Sequence, residues 1–242
     1  MRTLTACLCT LLLVTLAPAA RALQFTPTAK EWQVWPEYCR ARYVVSAAGK
    51  HSNYVHQVPA AMVEQWARTL GAAWNPLHHY CAALAYIGRG KVESDKTVAA
   101  FNYQRAIQNL TYTIDRTPQQ HPMYLQILIR FAQAHRGLRH HERAALYLRQ
   151  AVRLFPKSPT PYAALGDHLY KTGQFADARD ILLEGNAATD GASAEIHYFL
   201  GLTSIALGDY DAALEQAREA YSRGYPLPGL RDKLKSAGRW NE

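Results

Sequence analysis

The chain is short of the residues that announce chemistry. Only four of its 242 residues are cysteine and three are methionine. It holds no Cys-x-x-Cys, so a dithiol redox pair and a covalent haem site are not indicated. A G-x-S-x-G elbow, a phosphate-binding glycine loop and an H-E-x-x-H helix are missing as well, and with them the commonest signatures of catalysis. With 14 Gly and 12 Pro it is neither collagen-like nor a linker. Beyond the N terminus no run reaches the ~18 apolar residues that a spanning helix needs. Acidic residues are in deficit, with 19 Asp and Glu against 27 Lys and Arg, a net charge of +8. At 49% hydrophobic and 19% charged, the composition is that of a folded protein with room for a core.

What is present begins with an address. Arg2, an apolar run from Leu4 to Leu16, and small residues at Ala17-Pro18-Ala19 and Ala20-Arg21-Ala22 read as a cleaved secretory signal over residues 1–22. A lipoprotein reading of Leu4-Thr5-Ala6-Cys7 fails because the box lies ahead of the apolar core. The expected location is therefore outside the cytoplasm, and the periplasm if the source is bacterial. Loss of the signal removes Arg2 and Arg21, leaving 25 basic against 19 acidic residues, a net +6. It also leaves two cysteines, Cys39 and Cys81, which in an oxidising compartment read as one disulfide. Closing a loop of that length restricts the unfolded chain by roughly 3–4 kcal/mol in the entropy model. Asn109-Leu110-Thr111 has the form of a glycosylation sequon but falls in a helical pattern.

An internal repeat dominates the rest. Tyr162-x2-Leu165-Gly166-x2-Leu169 is followed by Gly173-Gln174-Phe175-Ala176-Asp177-Ala178-x3-Leu182. The next copy runs His197-x2-Leu200-Gly201-x2-Ser204, then Gly208-Asp209-Tyr210-Asp211-Ala212-Ala213-x3-Ala217. An earlier copy runs Leu128-x2-Phe131-Ala132-x2-His135, then Ala144-x3-Leu148-x2-Ala151, closing at Pro156. Each copy holds two amphipathic helices, with small residues where the pair must approach closely. Neither pair buries its face alone, so neighbours must stack. The 34–35-residue period and these positions resemble the tetratricopeptide repeat. The expected fold is all-α, a solenoid of stacked helix-turn-helix repeats at 124–158, 159–192 and 193–226. A degenerate pair at 74–118 precedes them, with Trp74-x2-Leu77-His78-x2-Cys81 as its first helix and Ala99-x3-Tyr103-x2-Ala106 in its second. Leu77 to Ala99 is nine residues longer than the matching spacing in the other copies, and the excess, falling around Gly88–Asp95, predicts an enlarged turn. Residues 227–242 read as a capping helix and tail. The aromatic-dense residues 23–73 read as an N-terminal cap, with a short hairpin around Tyr43-Val44-Val45 and Tyr54-Val55, then a helix from Ala60 to Leu70. A Cys39–Cys81 bridge would fasten this cap to the first pair.

Charge is partitioned along the array. Residues 121–158 carry seven bases against Glu142 alone, and residues 159–221 carry three bases against ten acids. Solvated helix faces account for most of this, and repeats of opposite sign attract. An acidic partner on the basic repeat is the functional alternative. Export argues against nucleic acid, and a membrane surface remains a lesser possibility.

The resemblance implies a non-enzymatic protein-protein interaction module that receives a peptide or partner segment in a concave groove, as part of a cell-envelope assembly. No cofactor and no metal are expected. The inner face then maps to Gln126, Ile129, Gln133 and Arg136, to Thr160, Ala163, Asp167 and Tyr170, and to Glu195, Tyr198, Leu202 and Ile205. Tyr170 and Tyr198 are the expected anchors, because aromatics offer large contact area at low entropic cost. The Lys/Asn set that clamps a terminal carboxylate in chaperone-binding members is absent. Two alternatives remain: a structural subunit that uses its cap or edges, and a metal-binding or enzymatic protein built on His78, His79 and Cys81.

Overall fold

The structure, a computed structural model, describes residues 25–240; the signal segment at 1–22 lies outside them. Among the described residues there are twelve α-helices and no strand. The N-terminal cap holds α1 (Ala29–Val34), α2 (Glu37–Val44) and α3 (Ala60–Leu70). Thr28 and Glu31 form a reciprocal capping box on α1, and Glu31 also pairs with Arg89 at 2.6 Å.

The expected hairpin is not formed. Tyr43 and Val44 close α2, while Val55 opens a 3-10 turn, Val55–Gln57. The aromatic and β-branched residues that suggested strands are spent on ring packing instead. Trp32 stacks on Tyr54 with centroids 4.2 Å apart, and Trp35 meets Tyr43 edge-on at 5.8 Å. Cys39 of α2 is bonded to Cys81 of the next helix, with Cα atoms 5.5 Å apart.

Four helix pairs follow: α4 (Leu77–Val92) with α5 (Lys96–Ile114), α6 (Pro122–Gly137) with α7 (His141–Leu154), α8 (Pro159–Lys171) with α9 (Phe175–Ala188), and α10 (Ala194–Ala206) with α11 (Tyr210–Ser222). A short helix, α12 (Gly229–Ser236), closes the array. The nine extra residues of the first pair do not enlarge its turn. They lengthen the two helices, and only Glu93–Asp95 separates them. α4 runs through Gly88 and Gly90, where the enlarged turn was expected. Gly90 is small because the Tyr103 ring occupies the space its Cβ would take.

Within the repeats the small positions hold the pairs together. A Cβ on Gly166 would meet Leu182 at 2.5 Å, and Ala144, Ala178 and Ala213 are fully buried. The inter-helix turns share one hydrogen bond: His140 N to His135 O, Gln174 N to Leu169 O and Asp209 N to Ser204 O, each 2.9 Å. This bond closes a left-handed C-terminal cap. Gly173 and Gly208 supply it with φ of 80° and 82°, and Arg139 takes the same place at 60°. Leu230 and Leu234 of α12 cover the last pair and are fully buried.

Candidate functional site

The inner helices α6, α8 and α10 stand side by side, and side chains one helical turn apart on each face the same hollow. That hollow is a cavity of about 190 Å³. Ile129, Gln133 and Arg136 line it from α6, Thr160, Ala163 and Asp167 from α8, and Glu195 from α10. These are seven of the residues that the repeat pattern assigned to the inner face. Phe199, four residues after Glu195, also lines it and was not among the expected residues.

Tyr198 and Leu202 require correction. Tyr198 is 7% exposed and stacks on Tyr225 at 4.2 Å. Leu202 is buried in the same cluster as Leu230 and Leu234. The C-terminal segment thus covers the inner face of the last pair, and the open groove ends at Glu195 and Phe199. Tyr170 is half-buried against Phe175, with ring centroids 5.5 Å apart, and packs against both repeat cores. Gln126 and Ile205 are half-buried and lie outside the cavity lining.

The floor of the groove is charged. Asp167 accepts from Arg136 Nη1 at 2.9 Å and from Lys171 Nζ at 2.7 Å. Arg130 Nη1 donates to Gln133 Oε1 at 2.8 Å, and its Nε points to the Tyr80 hydroxyl at 3.5 Å. Partial desolvation, followed by the charges of Arg130, Arg136 and Lys171, lowers the ammonium of Lys91, exposed in the last turn of α4, below its usual range. Burial and the neighbouring Asp167 charge raise the Glu195 carboxyl above its usual range.

The His78/His79/Cys81 alternative finds different chemistry. Cys81 sulfur is bonded to Cys39. His78 Nδ1 lies 3.0 Å from the Asn75 carbonyl, and His79 Nδ1 lies 2.8 Å from Asn109 Oδ1, its ring 4.0 Å from that of Tyr112. Burial, the adjacent His79 and Arg42 push His78 down to about 4. Among the described residues no three His, Cys, Asp or Glu side chains are grouped to hold a metal. The Asn109 side chain, the acceptor of the sequon, is also held by a bond to the Arg105 carbonyl at 2.8 Å.

Comparison with known proteins places the repeats. One tetratricopeptide-repeat family model matches residues 137–203, and a second matches residues 194–223. Among solved structures, a thermophilic TPR protein of Thermus thermophilus is similar at 21% identity and a TM-score of 0.47, over 70% of this chain and all of that one. A MamA RS-1 double mutant is similar at 15% identity and a TM-score of 0.48, over 84% of this chain and 99% of that one. A search of curated proteins gave no match.

Proposed function

We propose that this chain, whose residues 137–223 match tetratricopeptide-repeat family models, is a protein-protein interaction module that works by holding an extended segment of a partner in the groove between α6, α8 and α10. The observation that carries this reading is the convergence of Ile129, Gln133, Arg136, Thr160, Asp167 and Glu195, from three separate helices, on one hollow. Such a preformed concave surface with a few polar groups among apolar ones recognises a ligand without ordering itself first. A photo-crosslinking residue at Thr160 tests it. The groove reading expects one partner to be captured there in the native cell, and not by the same probe at Leu183 on the outer side of α9. Capture at Leu183 alone would remove it.

A second reading has its own observation. Between α1 and α4 lies a hollow of about 430 Å³ that includes Val34 and Val92, which are 81% and 85% exposed. Exposed apolar side chains of that size suit an edge interface in an assembly. Substituting both with Asp separates the readings: loss of partner association with the groove intact assigns the interface to the cap.

We also propose that the mature protein is exported and works in an oxidising compartment of the cell envelope. The signal-like residues 1–22 and the Cys39–Cys81 pairing support this. Intact mass of the native protein should show a chain beginning at residue 23 with no free thiol. A retained leader, or two free thiols, contradicts it.

A further inference from the structure

The groove belongs to the inner helices; a second hollow, of about 520 Å³, opens on the outer side of the array between α5 and α7. Arg143, Leu146, Gln150 and Arg153 line it from one face of α7. Ile107 of α5 forms the opposite wall, and the buried His135 of α6 closes the base. Three features of this lining point to an anion. Neither Arg143 nor Arg153 is paired with an acid among the described residues. No Asp or Glu lines the hollow: α5 contains none, and Glu142, the one acid of α7, falls outside the lining. His135 is 5% exposed, and its Nδ1 is buried without a hydrogen-bond partner. A buried ring nitrogen is ordinarily bonded, so an unpartnered one at the base of a hollow marks a place for a ligand atom. The remaining walls are apolar. Leu146 stands 65% exposed between the two arginines along α7, and Ile107 is half-buried across from it.

We propose that the hollow between α5 and α7 holds the phosphate headgroup of an anionic lipid, and so seats this end of the array on a membrane surface. The planar forks of Arg143 and Arg153 match phosphate oxygens with paired, charge-assisted hydrogen bonds, and the Gln150 amide adds a neutral donor between them. Leu146 then meets the acyl boundary, as an exposed leucine among cations does on a helix lying in a bilayer interface. The two arginines are separated by about 15 Å along the helix, so a plane of headgroups serves both better than one free phosphate does. The later outer helices oppose the same surface. α9 carries Asp177, Asp180 and Glu184 against Arg179, and α11 carries Asp211, Glu215 and Glu219 against Arg218. Contact is therefore confined to the α5–α7 end. The inner groove faces the other way and stays open to a partner, so this site does not depend on what the groove binds.

Vesicle binding by the mature chain tests this, with phosphatidylcholine alone and with equimolar phosphatidylcholine and phosphatidylglycerol. Binding to the mixed vesicles should be at least about tenfold stronger, and should weaken as salt rises. Arg143→Gln with Arg153→Gln should reduce it at least about tenfold, while Arg179→Gln on α9 leaves it unchanged. Leu146→Gln should reduce it roughly threefold with every charge kept, which separates lipid contact from bare charge. All four side chains are exposed, so thermal unfolding of the variants should match that of the parent and a loss of binding reports on the site. Monomeric dihexanoyl phosphatidylglycerol should shift the His135 ring resonances, and inorganic phosphate at the same concentration should not. Equal binding to the two vesicle types, or indifference to the double substitution, overturns the proposal. So does inorganic phosphate, polyglutamate or an oligothymidylate that competes as well as the short-chain lipid. A self-association abolished by the double substitution overturns it too, because the acidic repeats of a second copy would then be the occupant.

Discussion

The Arg136 guanidinium and the Asp167 carboxylate meet at 2.9 Å across the seam between α6 and α8, and Lys171 closes on the same carboxylate from one turn further along α8. One anion therefore ties two repeats together and sets the charge balance of the groove floor. Asp167 is well enclosed, its side chain 13% exposed, so the pairing is screened less than a surface ion pair.

Asp167→Asn should separate these two roles. Removing the charge leaves two cations without their partner, and stability should fall by about 1 kcal/mol in chemical denaturation. Affinity for the partner segment captured at Thr160 should change in the same variant, because the floor becomes more positive. An unchanged affinity would show that the charge of Asp167 does not act on the bound segment.

The turn between α6 and α7 carries a strain that the turns between α8 and α9 and between α10 and α11 avoid. Arg139 sits at φ of 60°, where Gly173 and Gly208 hold the same turn. A side chain in that region costs on the order of 1 kcal/mol relative to glycine. Arg139→Gly should therefore raise stability by about 0.5–1 kcal/mol, and Gly173→Ala should lower it by about 1 kcal/mol. Urea midpoints of the two variants check both signs.

His135 makes the fold sensitive to acid. Its Nδ1 is buried without a hydrogen-bond partner, its ring lies parallel to Tyr147 at 5.4 Å, and burial with His140 and Arg143 nearby pushes it down from 6.5 to about 4. The unfolded chain thus takes up a proton near pH 6.5 that the folded chain refuses until about pH 4. Stability present above pH 6.5 is lost as the pH falls towards 4, and His135 alone contributes on the order of 1–2 kcal/mol of that loss near pH 5. His135→Phe keeps the stacked ring and should flatten the fall in Tm between pH 7 and 5. An unchanged slope would assign the acid sensitivity to other groups.

The bridge between α2 and α4 should matter most for the cap. Cys39 and Cys81 are 42 residues apart, so the paired Ser variant should lose roughly 3–4 kcal/mol by the loop-entropy model. The loss should appear first in hydrogen exchange of residues 29–70, while residues 159–236 keep their protection.

The closing helix should be as important at the other end. A Cβ on Gly201 would meet Leu230 at 2.4 Å, which shows how closely α12 seats on α10. Leu230→Ala should cost about 2–4 kcal/mol. It should also loosen the Tyr198–Tyr225 stack, measurable as faster exchange of α10 and α11.

How much of this was legible in the sequence follows the physics of each part. The helix pairs at 124–226 could be read because Gly166, Gly201, Ala178 and Ala213 must recur wherever two helices touch. The turn at Arg139 could not, since an arginine does not announce a left-handed cap; its alignment with Gly173 and Gly208 was the available signal. The long α4 was hidden by Gly88 and Gly90, whose smallness answers to packing as much as to flexibility. The hairpin expected near Tyr43 and Tyr54 failed because ring stacking in the cap outweighs strand propensity. Helical spacing put Ile129, Gln133, Arg136, Thr160, Ala163, Asp167 and Glu195 on one face, and they line one hollow. It misplaced Tyr198 and Leu202, because whether a face stays open depends on where residues 225–234 fold back, which no local pattern encodes.

Hydrogen exchange of the mature protein, with and without the segment captured at Thr160, tests the groove most directly. Binding there should slow exchange in α6, α8 and the first turns of α10, and leave α1, α3 and the outer helices α7 and α9 unchanged. Protection confined to α1 and α4, with α6 and α8 unaffected, would place the interface on the cap edge and contradict recognition by the groove.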